Sequence, residues 1–223
     1  MKKSFDIVYQ VQSSPRRSRV GFSVNAQGTL TVHVPEGLSC EAIRLIVERN
    51  SQIIEKLLSR AAQRPAPISY QFVEGEEFPF YGKVLKLKFS SRLALMTDTE
   101  LIVPQGSREK LRTAIQQLYR RYGVELLKSR CLYFGAPHNL MPRSVGITDA
   151  KTRWGSCNSR KHISFCWKVL LLPPELADYI VCHELAHLQE LNHSANFWAL
   201  VEKLCPDALR KRQQLNALPE LWG

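Results

Sequence analysis

One pentapeptide constrains this chain more than any other segment: His183-Glu184-Leu185-Ala186-His187. Pro173 and Pro174 provide the fixed φ of a helix start, and apolar residues recur as far as Leu191, so the pattern predicts one helix from Pro174 to about Leu191. Residues four apart share a helix face, which sets the imidazoles of His183 and His187 one turn apart and within reach of a single ion. Glu184 lies about 100° round the axis, outside that ligand pair but placed to meet a water at the ion, where a general base belongs. Zinc held this way takes a third protein ligand and keeps one open position. His193 lies beyond the expected helix end, and a reversal at Asn192, a residue type that tolerates left-handed backbone, would bring it back to the ion. Glu202 and Asp207, in or near a further helix expected from Ser194 to about Leu204, are carboxylates open to the same role. Cys182 points away from the histidine face, and Tyr179, one turn before His183, reads as packing. His33, His138 and His162 stand isolated and receive no role.

Composition narrows the classes open to the chain. With 223 residues and 44% hydrophobic side chains it can bury a core, so it is not a disordered chain. No apolar run approaches the roughly 18 residues that span a bilayer. Lys2 and Lys3 imitate the start of an export signal, but Asp6, Gln10 and Gln12 leave no apolar region behind them, and a cytoplasmic location without membrane contact is expected. The six cysteines form no Cys-x-x-Cys and no close pair, which reads as free thiols. The net charge of +11 is uneven: ten basic face eight acidic residues from Arg143 onward, leaving an excess of nine in the part before it. Such a basic front suits an acidic partner or nucleic acid, although no aromatics interleave with Arg16, Arg17 and Arg19 as a stacking surface would require.

Periodicity divides the rest. Alternation from Phe5 to Val11, Arg19 to Asn25 and Thr29 to Val34, with the turn Asn25-Ala26-Gln27-Gly28, predicts a small antiparallel meander. Ser39 caps an amphipathic helix over 39–60, broken by Gln63-Arg64-Pro65-Ala66-Pro67. A second β-rich stretch runs from Tyr70 to about Val103, and Pro104-Gln105-Gly106 is the expected linker. Ser107 caps a long helix to about Phe134, followed by short strands near Ser144–Thr148, Thr152–Trp154 and His162–Trp167. The chain is thus expected to be α+β, with a β-rich domain over 1–105 and a metallohydrolase domain over 106–223.

Thr152-Arg153-Trp154-Gly155-Ser156-Cys157, Trp167, Pro173-Pro174-Glu175-Leu176, the pentapeptide with Leu188, and Asn192-His193-Ser194 with Phe197-Trp198 together resemble the YgjP-like family of bacterial metallopeptidases. A looser likeness extends through Arg16–Arg19 and Phe72–Gly82, and the family's core is similar to that of SprT-like proteases among the zincins. The resemblance implies a zincin fold, with the active-site helix on a small, mostly antiparallel sheet whose edge strand receives a peptide. It further implies zinc on His183, His187 and His193, with Glu184 as base. Position 190 is Glu where metzincins have Gly, so the turn toward His193 must be built differently here. Arg153 is a candidate for oxyanion stabilisation, and Trp154 and Trp167 for the floor of a substrate cleft, each with a bracing or core role as its alternative.

The expected activity is therefore hydrolysis of a protein or peptide by a zinc-activated water. Two other readings use the same residues. A Lewis acid also polarises phosphoryl oxygen, so a basic front beside the metal suits a nucleotide phosphoanhydride, although no Gly-rich phosphate loop is present. Alternatively the chain docks on nucleic acid around a structural zinc, against which stands the absence of a fourth positioned ligand.

Overall fold

The computed structural model describes residues 7–25, 28–63 and 65–222. Contacts divide the chain into two compact units, Met1–Ile68 with Leu218–Glu220, and Ser69–Ala217 with Leu221–Gly223. The architecture is α+β, with six α-helices and three small sheets among the described residues.

The first unit contains β1 (Tyr9–Ser14), β2 (Gly21–Val24), β3 (Leu30–Pro35), α1 (Cys40–Arg49) and α2 (Ser51–Ala62). Its sheet has the order β1-β3-β2, with β2 antiparallel and β1 parallel to β3. This corrects the expected meander: β3 alone buries every second residue, Leu30, Val32 and Val34, so it takes the centre, and the largely exposed β1 is left at an edge. Phe5 and the turn residues Ala26 and Gln27 lie outside the described residues, as does Arg64. The three β3 side chains pack with Ile43, Val47 and Ile54 from the helices. Ser39 caps α1 as expected, its hydroxyl accepting from Ala42 N–H at 3.2 Å. The expected helix over 39–60 is nevertheless two helices. Asn50 ends the first by turning its side-chain amide onto the Ile46 carbonyl at 2.8 Å, a local bond that competes with the helix ladder.

The second unit begins with β4 (Glu77–Phe80), β5 (Lys83–Ser90), β6 (Leu95–Met96) and β7 (Glu100–Pro104), ordered β4-β5-β7-β6. The expected break at 105/106 falls inside this unit, which starts instead at Ser69. The physical reason is aromatic. Tyr119, on α3 (Arg108–Gly135), donates to the Pro79 carbonyl at 2.5 Å and meets Phe80 and Trp167 edge-on. Tyr70, Phe72 and Phe78 gather round Trp222 with ring centres 4.9–6.1 Å from it. The β-rich stretch and the long helix therefore share one core. Trp167 is part of that core and 2% exposed, so it floors no cleft.

After α3, β8 (Ser144–Thr148), β9 (Gly155–Cys157) and β10 (His162–Cys166) form a sheet ordered β8-β10-β9. Strand β9 lies later than the expected Thr152–Trp154 because the turn fixes the register: Lys161 N–H bonds the Asn158 carbonyl at 2.9 Å in left-handed backbone, placing Gly155 opposite Phe165. A one-turn 3-10 helix, Trp167–Leu171, leads to α4 (Pro174–Ala186), α5 (Ala195–Leu204) and α6 (Ala208–Ala217), the last unanticipated. Helix α4 runs between β9 and α3, and its Asp178 takes two bonds from Arg130 (2.8 and 2.9 Å) and one from the Tyr81 hydroxyl (2.7 Å). Among the described residues no helix is long and apolar enough to cross a membrane.

Candidate metal centre

Helix α4 is nearly all buried, and its C-terminal turn carries the pentapeptide. The helix stops at Ala186, with His187 as its cap, short of the expected Leu191. Leu188 N–H bonds the Leu185 carbonyl and both Gln189 and Glu190 N–H bond the Ala186 carbonyl, at 2.9–3.1 Å, which tightens the chain into a turn. Asn192 is not among the residues with left-handed backbone, so the reversal expected there is made earlier, by this turn. His187 Nδ1 meets the Glu190 carbonyl at 2.9 Å. That bond engages Nδ1 as a donor and leaves Nε2 with its lone pair, the arrangement found behind metal-ligating histidines. Glu190 thus contributes main chain where the metzincin pattern has Gly.

The turn delivers His193 onto His183. Their Nε2 atoms lie 3.1 Å apart, and one donor atom from each of His183, His187 and His193 lies within 4.8 Å of the other two. Four nitrogens round a tetrahedral ion at 2.0–2.1 Å are spaced by about 3.3 Å, so three neutral imidazoles this close fit a metal ion. Beneath them lies the ring of Phe197, fully buried on α5, stacked on His187 at 4.5 Å and edge-on to His183 and His193 at 4.9 and 4.7 Å. Ser194 starts α5 by accepting from Phe197 N–H at 3.3 Å, which ties the position of that ring to the residue beside His193. Burial holds His183 down to about 3, helped by the neighbouring His187, His193 and Arg212. Burial, His187 and Arg212 also lower His193, so both rings are kept in the neutral form a metal requires.

Glu184 faces another direction. It is 5% exposed, and its Oε2 is buried without a partner among the described residues. Burial pushes its carboxyl up to about 7, against the opposing charge of Arg153. What makes room for it is Gly155 at the head of β9: a Cβ there would lie 2.6 Å from Glu184 Oε1 and 2.7 Å from Cγ. A buried carboxyl group without a partner, next in sequence to one of three convergent imidazoles, is a candidate base beside a candidate metal site.

Of the residues singled out from sequence, His183, His187 and His193 are brought together here, Glu184 follows His183 on α4, and Arg153 lies near enough for its charge to act on Glu184. Trp154 is half-buried, its carbonyl accepting from Cys166 N–H at 2.7 Å, and its ring touches none of the histidines among the described residues. Glu202 turns away to cap Asp207 and Ala208 N–H, and the Asp207 carboxylate pairs with Arg210, so neither alternative carboxylate joins the histidines. Tyr179 packs as expected, 4% exposed with its ring 6.0 Å from His183. All six cysteines are free. The roles of Phe197, Gly155 and the Glu190 carbonyl were not read from sequence. Their signal is spatial, and only the inclusion of Gly155 and Phe197 in the family-like motifs hinted at it.

No curated protein sequence matches the chain. Among solved structures, the metallopeptidase zymogen of Pyrococcus abyssi abylysin is 26% identical over 40% of this chain and 90% of that one, with a TM-score of 0.37. A family model described as YgjP-like, metallopeptidase domain matches residues 18–218, and with nearly the whole chain inside that match, this protein belongs to the YgjP-like metallopeptidases.

Proposed function

We propose that the protein is a zinc metallopeptidase in which His183, His187 and His193 hold the ion and Glu184 is the general base. The observation that carries this reading is the convergence of three imidazole nitrogens within 4.8 Å beside a buried carboxylate. Three side chains leave one position of a tetrahedral ion open, as a catalytic site requires and a structural site does not. Zinc bound there would supply a Lewis acid to polarise the scissile carbonyl and to lower the pKa of water toward about 7.

The chain's own residues do the rest. Glu184 takes the proton from the attacking water and returns it to the leaving nitrogen, and Gly155 and the wall of β9 hold its carboxylate in place for both transfers. The Glu190 carbonyl orients His187, and Phe197 fixes the planes of all three rings. Arg153, exposed and next to Glu184 in charge, is the candidate to meet the carbonyl oxygen or an adjacent part of the substrate. Strand β9 is an edge of its sheet, which gives an extended peptide a row of main-chain partners beside the base. Trp154 immediately precedes it and is the neighbouring candidate for substrate contact.

Elemental analysis of the purified chain, paired with peptide turnover, tests this. One zinc per chain is expected, bound more weakly in His193→Ala. Glu184→Gln is expected to keep its zinc and lose turnover by about 10²- to 10⁴-fold. Full cleavage by Glu184→Gln would remove the base, and a wild-type chain that takes up no zinc would remove the whole reading.

A further inference from the structure

Helix α6 carries three successive cations, and each is engaged differently. Arg210 pairs with Asp207 at 3.5 Å. Lys211 turns to the Pro206 carbonyl at 2.8 Å and the Cys205 thiol at 3.2 Å. Arg212 has no carboxylate partner among the described residues; its guanidinium carbon lies 4.7 Å from the ring centre of Trp198. That indole in turn stacks on His193, with centres 5.7 Å apart and planes at 24°, and lies 5.8 Å from His183. One half-buried ring therefore joins the guanidinium to two of the three histidines.

Most exposed arginines on a helix are simply solvated. Arg212 differs in being held over an indole ring, 4.7 Å from its centre, with no hydrogen bond or ion pair to its N–H groups among the described residues. A planar fork held by a cation–ring contact, with its donors available, is suited to the two oxygens of a carboxylate. No more than about 10 Å separates the Arg212 guanidinium from the His193 ring. In an extended peptide at about 3.3 Å per residue this is a span of about three residues.

We propose that Arg212, held over the Trp198 ring, is a specificity-determining residue that binds a substrate carboxylate within about three residues of the cleaved bond. The carboxylate comes from an Asp or Glu side chain or from the substrate's own C-terminus. This rests on the reading of the three-histidine site as a peptidase centre, and it adds the substrate class that the centre prefers. Binding is by charge-assisted hydrogen bonds to the guanidinium edge, with no covalent change at Arg212.

The test uses the zinc-loaded full chain and one fluorogenic parent peptide. Asp, Asn or Lys is placed in turn at each of the three positions on either side of the cleaved bond, and the parent is also made with a free or an amidated C-terminus. Wild type is expected to favour a carboxylate-bearing peptide over its neutral counterpart by about tenfold or more in kcat/KM, carried mainly by KM. Arg212→Gln should abolish the preference, and Arg212→Glu should shift it to the Lys peptide. Preference for the Asp series assigns the source to a side chain; preference for the free over the amidated terminus assigns it to the chain end.

Equilibrium binding of the same peptides to Glu184→Gln, with and without Arg212→Gln, separates this proposal from the peptidase reading. Charge-dependent binding lost with Arg212, alongside no turnover by wild type, supports the Arg212 role and overturns the peptidase reading. Turnover that ignores charge, or an Arg212→Gln variant that slows every peptide equally in kcat with any preference intact, overturns the Arg212 role and leaves the peptidase reading standing.

Discussion

Glu184 and Gly155 show how little space separates the proposed base from its wall. The carboxylate occupies the volume that a side chain at position 155 would fill, so Gly155→Ala must displace it or push β9 outward. A shift of about 1 Å in a reacting group can cost about a hundredfold, so Gly155→Ala is expected to lose one to two orders of magnitude in kcat while retaining zinc. Peptide kinetics with metal analysis on the same sample check this, and loss of zinc together with activity would mean that the glycine supports the ligands instead. Phe197 belongs to the same scale. Fully buried against all three imidazoles, it is expected to cost about 3–5 kcal/mol on truncation to Ala, read by urea unfolding, with weaker metal binding alongside. His183, Glu184 and His187 were legible in the sequence because a helix turns spacing of four residues directly into shared position. The contact of Glu184 with Gly155, 29 residues earlier, has no such local rule, nor has the stacking of Phe197 on His187.

At the scale of the element, α4 is the part that everything else positions. Asp178, five residues before His183, is gripped by both Arg130 on α3 and the hydroxyl of Tyr81. The pair is largely buried, so Asp178→Ala strands a half-buried guanidinium and is expected to destabilise the unit by about 2–3 kcal/mol in denaturant unfolding. Asp178→Asn should lose less, since the amide oxygen still accepts; an equal loss would point to the second oxygen. Element type was readable from pattern, as the long α3 and its Ser107 cap illustrate. Element ends were less so. Asn50 divides a continuous amphipathic stretch through a single side-chain bond, and α4 stops at Ala186 because the 187–190 turn captures its last carbonyls, although Leu188 and Leu191 continue the apolar spacing. Pairing was least legible: β1 runs parallel to β3 because of which strand buries both alternate positions, a property of the assembled sheet.

For the molecule as a whole, the two units make different demands on a metal. All three histidines lie in the unit that begins at Ser69, bridging α4 to the turn ahead of α5. An ion bound only by the folded state adds stability that grows with its free concentration, about 4 kcal/mol at a thousand times the dissociation constant. Chelation is therefore expected to speed amide exchange in α4 and α5 and leave the strands around Leu30, Val32 and Val34 unchanged, which hydrogen exchange can resolve by segment. Equal acceleration in both units would mean that they unfold together. The α+β class was legible, but the boundary was not: Pro104-Gln105-Gly106 has a linker's composition, while the aromatic contacts of Tyr119 and Trp222 that keep it inside one unit span long stretches of chain. There is also a consequence for how substitutions accumulate. Position 190 serves the proposed metal centre through its carbonyl, which every amino acid possesses. Mutation there changes the letter without changing the contribution, so genetic drift can erase all trace of the residue's importance while the histidine it orients stays fixed.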